Sequence, residues 1–267
     1  MTRQQLIAQI RRKRSYLCVG LDSDKTKIPA HLQGHVDPVF EFNRQIIDAT
    51  KDYCVAYKIN TAFYEADGAK GWETMERTVQ YIPKDIFTIA DAKRGDIGNT
   101  STQYARAFFE TLSFDAITVA PYMGSDSVQP FLEYKDKWTI LLGLTSNAGA
   151  ADFELQPAGE GLLYEKVLRT ASGWGNPENL MFVVGATRPE WFEKIRVLTP
   201  DHFYLVPGVG AQGGSLREIS VKAMNKEVGL LVNVGRDILF AGKGEDFAEK
   251  AAARAQAYAE EMKGYLE

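Results

Sequence analysis

Acidic and basic side chains alternate in one short segment, and their types could stabilise a charged reaction intermediate. In IADAKRGD, Asp91 and Lys93 stand two residues apart, and Asp96 follows. Residues two apart on an extended strand share one face, so we expect Asp91 and Lys93 to point the same way. An isolated Asp-x-Lys triplet is usually a solvated ion pair. Its position after the apolar run IFTIA, with Lys58 near the end of another such run, favours a functional site.

Alternating lysines and carboxylates can act together in catalysis. Each lysine stays charged because a carboxylate lies beside it, and each carboxylate stays ionised for the same reason. Such an array presents a fixed field that favours a substrate losing one negative group and developing charge elsewhere. A protonated lysine can also deliver a proton. The set contains neither a histidine base nor a serine–histidine nucleophile.

A second candidate site is rich in glycine and could hold an anion. LVPGVGAQGG has glycines at 208, 210, 213 and 214 and is followed by the predicted helix SLREIS. A glycine-rich turn that opens a helix directs backbone N–H groups at an anion. Further along, Gly235 allows close backbone approach, and Arg236 offers a charged fork for phosphate oxygens. The alternative is that these glycines only form tight turns that close the fold.

Eight short apolar runs are predicted to be the strands that position these residues. None alternates cleanly between apolar and polar residues, which is typical of parallel strands covered on their outer face. The predicted strands are LCVGL (17–21), YCVAYKI (53–59), IFTIADA (86–92), AITVA (116–120), WTILLGL (138–144), MFVVGA (181–186), FYLVPG (203–208) and GLLVNVG (229–235).

Helical patterns follow these runs, so strand and helix alternate eight times along the chain. This alternation predicts an α/β fold, a single (β/α)8 TIM barrel that spans 1–267 as one domain. A helix over 2–14 precedes the first strand, and another is expected at about 245–265. An open α/β sheet is the alternative. It fits less well because GLDSDKTKIP, rather than a GxGxxG motif, follows the first strand.

Functional groups of such a barrel lie at the carboxyl ends of its strands and in the loops that follow. Loops after the seventh and eighth strands are the usual phosphate site. Segment 147–160 (NAGAADFELQPAGE) is expected to close over a substrate and exclude water. The residues expected at the mouth are Asp22, Lys58, Asn60, Asp91, Lys93, Asp96, Pro121, Thr145, Ser146, Asn147, Pro207, Gln212, Gly235 and Arg236.

Composition argues against several other functions. The 267 residues carry a net charge of −4, which gives no electrostatic footprint for nucleic acid or an anionic membrane. Cys18 and Cys54 lie in apolar runs and are predicted to be buried thiols. His31, His35 and His202 do not pair at ligand spacing, so no metal site is expected. A cytoplasmic location is expected because no apolar run approaches ~18 residues and the N-terminus lacks a signal-peptide pattern.

DAKRGDIGNT resembles the Asp-x-Lys-x-x-Asp signature of the orotidine 5′-monophosphate decarboxylase family. GLD, YKIN, VAPYMG, LTSNAGA, VPGVGAQGG and NVGRDIL also match, so the resemblance spans roughly residues 15–240. The long spacer after the fifth strand and the TSN tripeptide are similar to the larger bacterial branch of the family. This resemblance implies decarboxylation of orotidine 5′-monophosphate to UMP, the last step of de novo pyrimidine biosynthesis, without metal or organic cofactor.

The resemblance also implies catalytic roles for Lys58, Asp91, Lys93 and Asp96. Lys93 would stabilise the carbanion at C6 of the pyrimidine and protonate it after CO2 leaves. Asp91 would lie beside the departing carboxylate and hold Lys93 in place. Lys58 would bridge Asp91 and a ribose hydroxyl.

Substrate-binding roles and a homodimer are implied in the same way. Asp96, Ile97 and Thr100 would enter the site of the partner subunit. Ser146 would read the amide edge of the pyrimidine. The other implied contacts are Asp22 with ribose, Pro207 along the wall, Gln212 with both loop and phosphate, and Gly235 and Arg236 with phosphate.

Related phosphate-binding barrels are the alternatives. A sugar-phosphate decarboxylase such as 3-keto-L-gulonate 6-phosphate decarboxylase shares Asp-x-Lys-x-x-Asp but has a glutamate at the end of strand two to hold Mg²⁺. Lys58 stands there in this chain and repels a divalent cation. The charge array disfavours a ribulose-phosphate epimerase or a tryptophan-pathway isomerase. A non-catalytic phosphosugar or nucleotide sensor would keep Gly235 and Arg236 and lose that array.

Overall fold

The computed structural model describes residues 1–210 and 213–266. In these ranges eight parallel strands close into a barrel in the order β1-β10-β9-β8-β5-β4-β3-β2, and β6 and β7 form a separate antiparallel hairpin. The strands are β1 (Leu17–Gly20), β2 (Ala56–Asn60), β3 (Phe87–Arg94), β4 (Ala116–Val119), β5 (Trp138–Leu144), β6 (Pro157–Ala158), β7 (Gly161–Leu162), β8 (Leu180–Val184), β9 (Phe203–Pro207) and β10 (Leu230–Val234). The predicted (β/α)8 barrel is confirmed, and the predicted strands differ only at their ends.

Helices surround this barrel. They are α1 (Arg3–Lys13), α2 (Pro38–Thr50), α3 (Ala62–Glu65), α4 (Gly68–Tyr81), α5 (Gly98–Arg106), α6 (Ser125–Leu132), α7 (Leu163–Ala171), α8 (Phe192–Leu198), α9 (Leu216–Ala223), α10 (Arg236–Leu239) and α11 (Phe247–Lys263). A π-helical turn, Ala107–Thr111, continues α5. None of the helices in the described ranges combines the length and hydropathy needed to cross a bilayer.

Helix α2 illustrates how sequence sets these elements. The Asp37 carboxylate accepts a hydrogen bond from Phe40 N at 3.0 Å, and Pro38 occupies the first turn, where its missing N–H costs nothing. Phe42 lies on the buried face of α2 and stacks on Phe247 of α11, with ring centroids 5.2 Å apart. Helix α2 therefore packs against α11 as well as the barrel.

Aromatic side chains close the amino-terminal end of the barrel. Trp138 is fully buried and meets Phe87 and Phe203 edge-on, with ring centroids 6.3 and 6.4 Å apart. These three residues stand at the starts of β5, β3 and β9. The cavity that contains Lys58 and Asp91 lies at the opposite end of the strands.

Candidate active site

Lys58 lies at the centre of the charged array. Its Nζ donates to Asp91 Oδ2 at 2.9 Å and to Asp22 Oδ1 at 3.2 Å. The strand register explains this meeting, because β1 pairs Gly20 with Lys58 and β2 pairs Asn60 with Asp91. Lys58 is only 3% exposed, so the ammonium group lies almost entirely inside the protein. The structure thus brings together Asp22, Lys58 and Asp91 as predicted.

Burial and charge compete in setting the protonation of this cluster. Burial alone would lower the pKa of Lys58, but the carboxylates of Asp91 and Asp22 outweigh it and raise that pKa above the usual lysine value. Burial would likewise raise the pKa of Asp91. The ammonium groups of Lys58 and Lys93 outweigh that effect and hold the pKa of Asp91 well below its usual range. Both side chains of the buried pair are therefore charged at neutral pH.

Lys93 contacts Asp91, but by a different backbone path from the one predicted. Its Nζ lies 2.5 Å from Asp91 Oδ1, and its side chain is half-exposed at the mouth. The expectation of a regular extended strand is wrong here, because Lys93 has a left-handed φ of 48° and β3 shifts register between Ala90 and Arg94. A bulge thus presents the Lys93 ammonium group to the mouth.

Asp96, Ile97 and Thr100 lie apart from this array in the described structure. Asp96 Oδ1 accepts a hydrogen bond from Ile97 N at 2.8 Å, and Asp96 forms no ion pair with any described residue. Ile97 is 63% exposed, and Thr100, in α5, is exposed as well. Within one chain, then, these three residues do not line the cavity that holds Lys58.

A cavity of about 190 Å³ connects the charged array to the predicted phosphate residues. Arg236 is exposed at its rim, and its side chain forms neither a hydrogen bond nor an ion pair with the described residues, so its guanidinium is available to an anion. Carboxylates and an arginine thus share one cavity. Its lining residues are Asp22, Lys58, Asn60, Asp91, Pro207, Gly208, Val209, Asn233, Gly235 and Arg236.

The glycine-rich segment after β9 is held in a tight turn. Gly208 and Gly210 have φ values of 104° and 78°, a left-handed backbone that other residues rarely adopt. Gly214 N donates to Gly208 O at 3.0 Å and closes the turn. A Cβ at Gly210 would lie 2.6 Å from the Tyr258 hydroxyl. Gln212, predicted to contact phosphate, lies outside the described residues.

Gly235 lines the cavity, but protein packing does not require a glycine there. Its φ is −107°, and an added Cβ would only make ordinary contacts, 3.7 Å from Asp22 Oδ2 and from Gly20 O. Its carbonyl accepts from Ile238 N at 2.9 Å and so starts α10. Space beside Gly235 therefore stays open toward the cavity rather than being taken by the protein.

Ser146 is half-buried and lies outside the cavity that holds Lys58. The segment after it is more ordered than a plain loop. Glu154 accepts from Thr145 N at 2.7 Å and from Thr145 Oγ1 at 2.8 Å, and the β6–β7 hairpin falls within and just after 147–160. Folding this segment back onto its own start produces a compact flap beside the mouth.

Two residues of the site were not singled out from the sequence. Thr118, in β4, hydrogen-bonds to both Lys93 N and Asp91 Oδ1. Asn233 interrupts the apolar run LVNV of β10, lines the cavity and pairs in register with Pro207. A polar residue inside an otherwise apolar barrel strand was the available signal for both residues.

The predicted buried thiols are confirmed, since Cys18 and Cys54 are both free and buried. Burial raises the pKa of Cys54 to about 11. Across residues 1–210 and 213–266, no three His, Cys, Asp or Glu side chains converge in a way that could hold a metal ion.

A closed parallel barrel with charged side chains at the carboxyl ends of its strands is the architecture of a (β/α)8-barrel enzyme. Here the mouth combines an ammonium–carboxylate array with an exposed guanidinium, which suits a substrate that carries more than one negative group.

Comparisons with known proteins identify the family. The chain matches the model of the Orotidine 5'-phosphate decarboxylase / HUMPS family over residues 15–251. It is 57% identical over 270 residues to orotidine 5'-phosphate decarboxylase of Christiangramia forsetii, covering 100% of this chain and 99% of the relative. Identity to the Flavobacterium johnsoniae protein of that name is 59% over 265 residues, with 98% and 97% covered.

A solved structure agrees with this relationship. Leishmania donovani UMP synthase superimposes with a TM-score of 0.85 at 38% identity, over 97% of this chain. The chain spans 57% of the length of that protein. The chain belongs to the orotidine 5'-phosphate decarboxylase / HUMPS family, so the family predicted from the DAKRGD signature is confirmed.

Proposed function

We propose that this chain decarboxylates orotidine 5′-monophosphate to UMP in the cavity between Lys58 and Arg236. The observation that carries the proposal is the continuous run of contacts from Asp22 through Lys58 and Asp91 to Lys93, with Arg236 on the same cavity. The array suits a substrate that loses a carboxylate, and the guanidinium suits its phosphate. The curated relatives at 57% and 59% identity are named for this reaction.

Lys93 is the proposed electrostatic stabiliser and proton donor. The bond between C6 and the carboxyl carbon breaks, CO2 leaves, and the electron pair stays on C6. The Lys93 ammonium group lies beside that carbanion and transfers one proton from Nζ to C6, which yields UMP and a neutral lysine. Solvent returns the proton, since the Lys93 side chain is half-exposed. Each step uses this chain's own side chains and needs no added cofactor.

Asp91 and Lys58 keep the field of this site fixed. Asp91 holds Lys93 at 2.5 Å and stays ionised because its pKa is depressed, so a negative charge lies beside the departing carboxylate. Lys58 bridges Asp91 and a ribose hydroxyl, and Asp22 binds ribose. Because these groups are already oriented by their mutual contacts, little reorganisation accompanies the reaction.

The other end of the nucleotide is assigned to the glycine-rich side. Arg236 and Gly235 bind the phosphate, together with Gln212, and Pro207 lines the wall between phosphate and base. Ser146 reads the amide edge of the pyrimidine. We assign it that role when segment 147–160 closes over the substrate, since closure would bring Ser146 and the base under one cover.

A homodimer completes the site in this proposal. Asp96, Ile97 and Thr100 are exposed or half-exposed and do not line their own chain's cavity. Tyr122 and Met123, in the loop after β4, are also exposed, at 88% and 45%. Exposed apolar side chains in the loops beside the mouth are typical of a surface that another protein covers. Covering it with a second copy would bring Asp96 to the Lys93 of the other subunit.

Loss of ultraviolet absorbance from orotidine 5′-monophosphate in chelator-treated buffer tests the activity. We expect turnover to UMP that the chelator does not reduce, and Lys93→Ala to abolish it while phosphate-driven UMP binding remains. Lys166→Ala, which removes an exposed lysine of α7, is the matched control and should keep full activity. Absence of UMP formation by the unmodified protein would contradict the proposal.

Chelator sensitivity distinguishes a sugar-phosphate decarboxylase from the proposed orotidine 5′-monophosphate decarboxylase. Those relatives need Mg²⁺ at the end of the second strand, where this chain places the Lys58 ammonium group between two carboxylates. A cation there repels a divalent metal. Turnover of a 3-keto sugar phosphate that requires Mg²⁺ would favour that alternative over the proposed reaction.

A further inference from the structure

The pairing between β3 and β4 skips residues beside the charged array. Ala90 pairs with Ile117 and Arg94 pairs with Val119, so three residues of β3 lie opposite Thr118 alone. A bulge of this kind leaves ladder positions of the longer strand without their usual partners. Thr118 is fully buried at this gap, in the strand next to the one that carries Asp91 and Lys93.

The Thr118 hydroxyl fills that gap with two hydrogen bonds. It accepts from Lys93 N at 2.9 Å and donates to Asp91 Oδ1 at 3.1 Å. The same Oδ1 is the atom that holds Lys93 Nζ at 2.5 Å. One hydroxyl therefore connects the backbone of Lys93 to the carboxylate that orients its side chain.

This arrangement matters because Lys93 has a left-handed backbone, with φ at 48°. A residue with a Cβ rarely adopts that conformation unless its surroundings impose it. The hydrogen bond to Lys93 N fixes the backbone position from which the lysine side chain extends. The hydrogen bond to Asp91 Oδ1 fixes the carboxylate oxygen that accepts from Lys93 Nζ.

We propose that Thr118 is a positioning residue for the reaction, because its hydroxyl sets the location of the Lys93 ammonium group relative to Asp91. The inference rests on the proposed decarboxylation and extends it to a residue outside the family signature. Thr118 touches neither the cavity nor the proposed substrate, so its effect passes through Lys93 and Asp91.

The test compares Thr118→Val with the unmodified protein. Valine keeps the shape and removes both hydrogen bonds, so we expect kcat to fall about 10- to 100-fold, as displaced catalytic groups do. The KM for orotidine 5′-monophosphate and the Kd for UMP should change less than about threefold, since ground-state binding is retained. Thr118→Ser keeps the hydroxyl and should return kcat to within about threefold of the unmodified protein.

Thr139→Val is the matched control. Thr139 is also fully buried, in the neighbouring strand β5, and its hydroxyl has no hydrogen-bond partner among the described residues. It should leave kcat unchanged. If Thr118→Val does not fold, Thr118→Ser and Thr118→Ala replace it, since that pair differs only by the hydroxyl at reduced volume.

The outcomes are distinguishable. Unmodified protein that turns over the nucleotide, with Thr118→Val equally fast, would overturn the positioning role and leave the proposed function standing. Equal kcat values for the serine and alanine variants would do the same. Failure of the unmodified protein to release CO2 would overturn both. A fall in kcat in Thr139→Val as large as in Thr118→Val would also count against the role, because any buried threonine would then suffice.

Discussion

Asp91 receives three hydrogen bonds from side chains, namely Lys58 Nζ, Lys93 Nζ and Thr118 Oγ1. Moving ions out of water costs free energy that only well-placed partners offset. Lys58 depends on this arrangement because it is 3% exposed and has only Asp22 as its other carboxylate. The charged form of each residue in the array is therefore stabilised mainly by the other charged residues.

Removing Asp91 should destabilise the protein through Lys58. For Asp91→Ala we expect the free energy of unfolding in urea to fall by about 3 kcal/mol, because a buried ammonium group loses its nearer partner. The double variant Lys58→Met/Asp91→Ala removes both charges and should be more stable than Asp91→Ala alone. Strictly additive effects of the two substitutions, at equal protein concentration, would contradict this coupling.

His202 does not belong to the charged array, but its protonation should dominate the change in the free energy of unfolding in mild acid. It is 6% exposed, and neither ring nitrogen has a hydrogen-bond partner among the described residues. Burial, followed by the charges of Arg3 and Arg196, lowers its pKa to about 4, while Asp201 opposes this weakly. The folded protein thus holds His202 neutral where the unfolded chain already binds a proton.

Stability should therefore fall as pH drops from 6.5 to 4, by about 3 kcal/mol from this residue. Asp91 does not contribute to the change over this pH range. Its depressed pKa stabilises the folded protein above the usual aspartate pKa of 3.8, and that stabilisation is lost only below it. His202→Leu should flatten the pH dependence of urea unfolding, whereas exposed His35→Leu should not. An unchanged slope in His202→Leu would refute this account.

At the level of elements, apolar runs were enough to locate the barrel strands. Runs such as WTILLGL are buried along nearly their whole length, and this pattern is visible without coordinates. The bulge in β3 was not predictable. Lys93 has a left-handed backbone, and its N–H donates to Thr118 on the next strand, a long-range contact that leaves no signal in the local sequence. The β6–β7 hairpin was not predicted either, because it depends on the hydrogen bond by which Glu154 holds the segment against Thr145.

Only some of the candidate site residues could be predicted, because the others depend on long-range or loop structure. Charged residues at strand ends converge in any closed parallel barrel, so Asp22, Lys58, Asp91 and Arg236 were predictable once the strands were placed. Asn233 is a polar residue inside the apolar run of β10, so the sequence marks it as unusual without showing that it lines the cavity. Ser146 depends on a loop conformation that the strand pattern does not specify.

The glycine-rich turn after β9 depends on contacts with α10 and α11. Asp237 Oδ2 accepts from Tyr258 OH and from Arg254 Nη2, each at 2.6 Å, and this cluster packs against Gly210. A Cβ at Gly210 would meet the Tyr258 hydroxyl at 2.6 Å, whereas one at Gly213 would meet nothing within 4 Å. The two glycines otherwise share a left-handed φ.

Gly210→Ala should therefore weaken phosphate binding more than Gly213→Ala. Both substitutions carry a similar backbone cost, and only the first pushes the turn away from Tyr258. We expect Gly210→Ala to raise the Kd for UMP about tenfold over that of Gly213→Ala, with uridine, which has no phosphate, affected equally by both. Equal UMP affinities of the Gly210→Ala and Gly213→Ala variants, measured by calorimetry, would show that the conformation of this turn does not affect phosphate binding.

For the whole molecule, the barrel separates stability from chemistry along its axis. Trp138, Phe87 and Phe203 pack together at one end, and the buried Lys58–Asp91 ion pair lies at the other. That mouth is only partly enclosed by its own chain. Ile97 and Tyr122 remain exposed beside it, and Asp96 has no cationic partner among the described residues.

Complementation between inactive chains tests whether a second copy completes that mouth. Under the proposed shared site, Lys93→Ala and Asp96→Ala should each disable every site of their own homodimer. Mixing them in equal amounts after reversible unfolding should restore about one quarter of the full activity, because half of the dimers are mixed and each has one intact site. Lys93→Ala mixed with Lys58→Ala is the control, since both residues serve their own chain's site and no intact site can form. Recovery in neither mixture, from a protein shown to be dimeric by sedimentation, would place Asp96 outside the shared site.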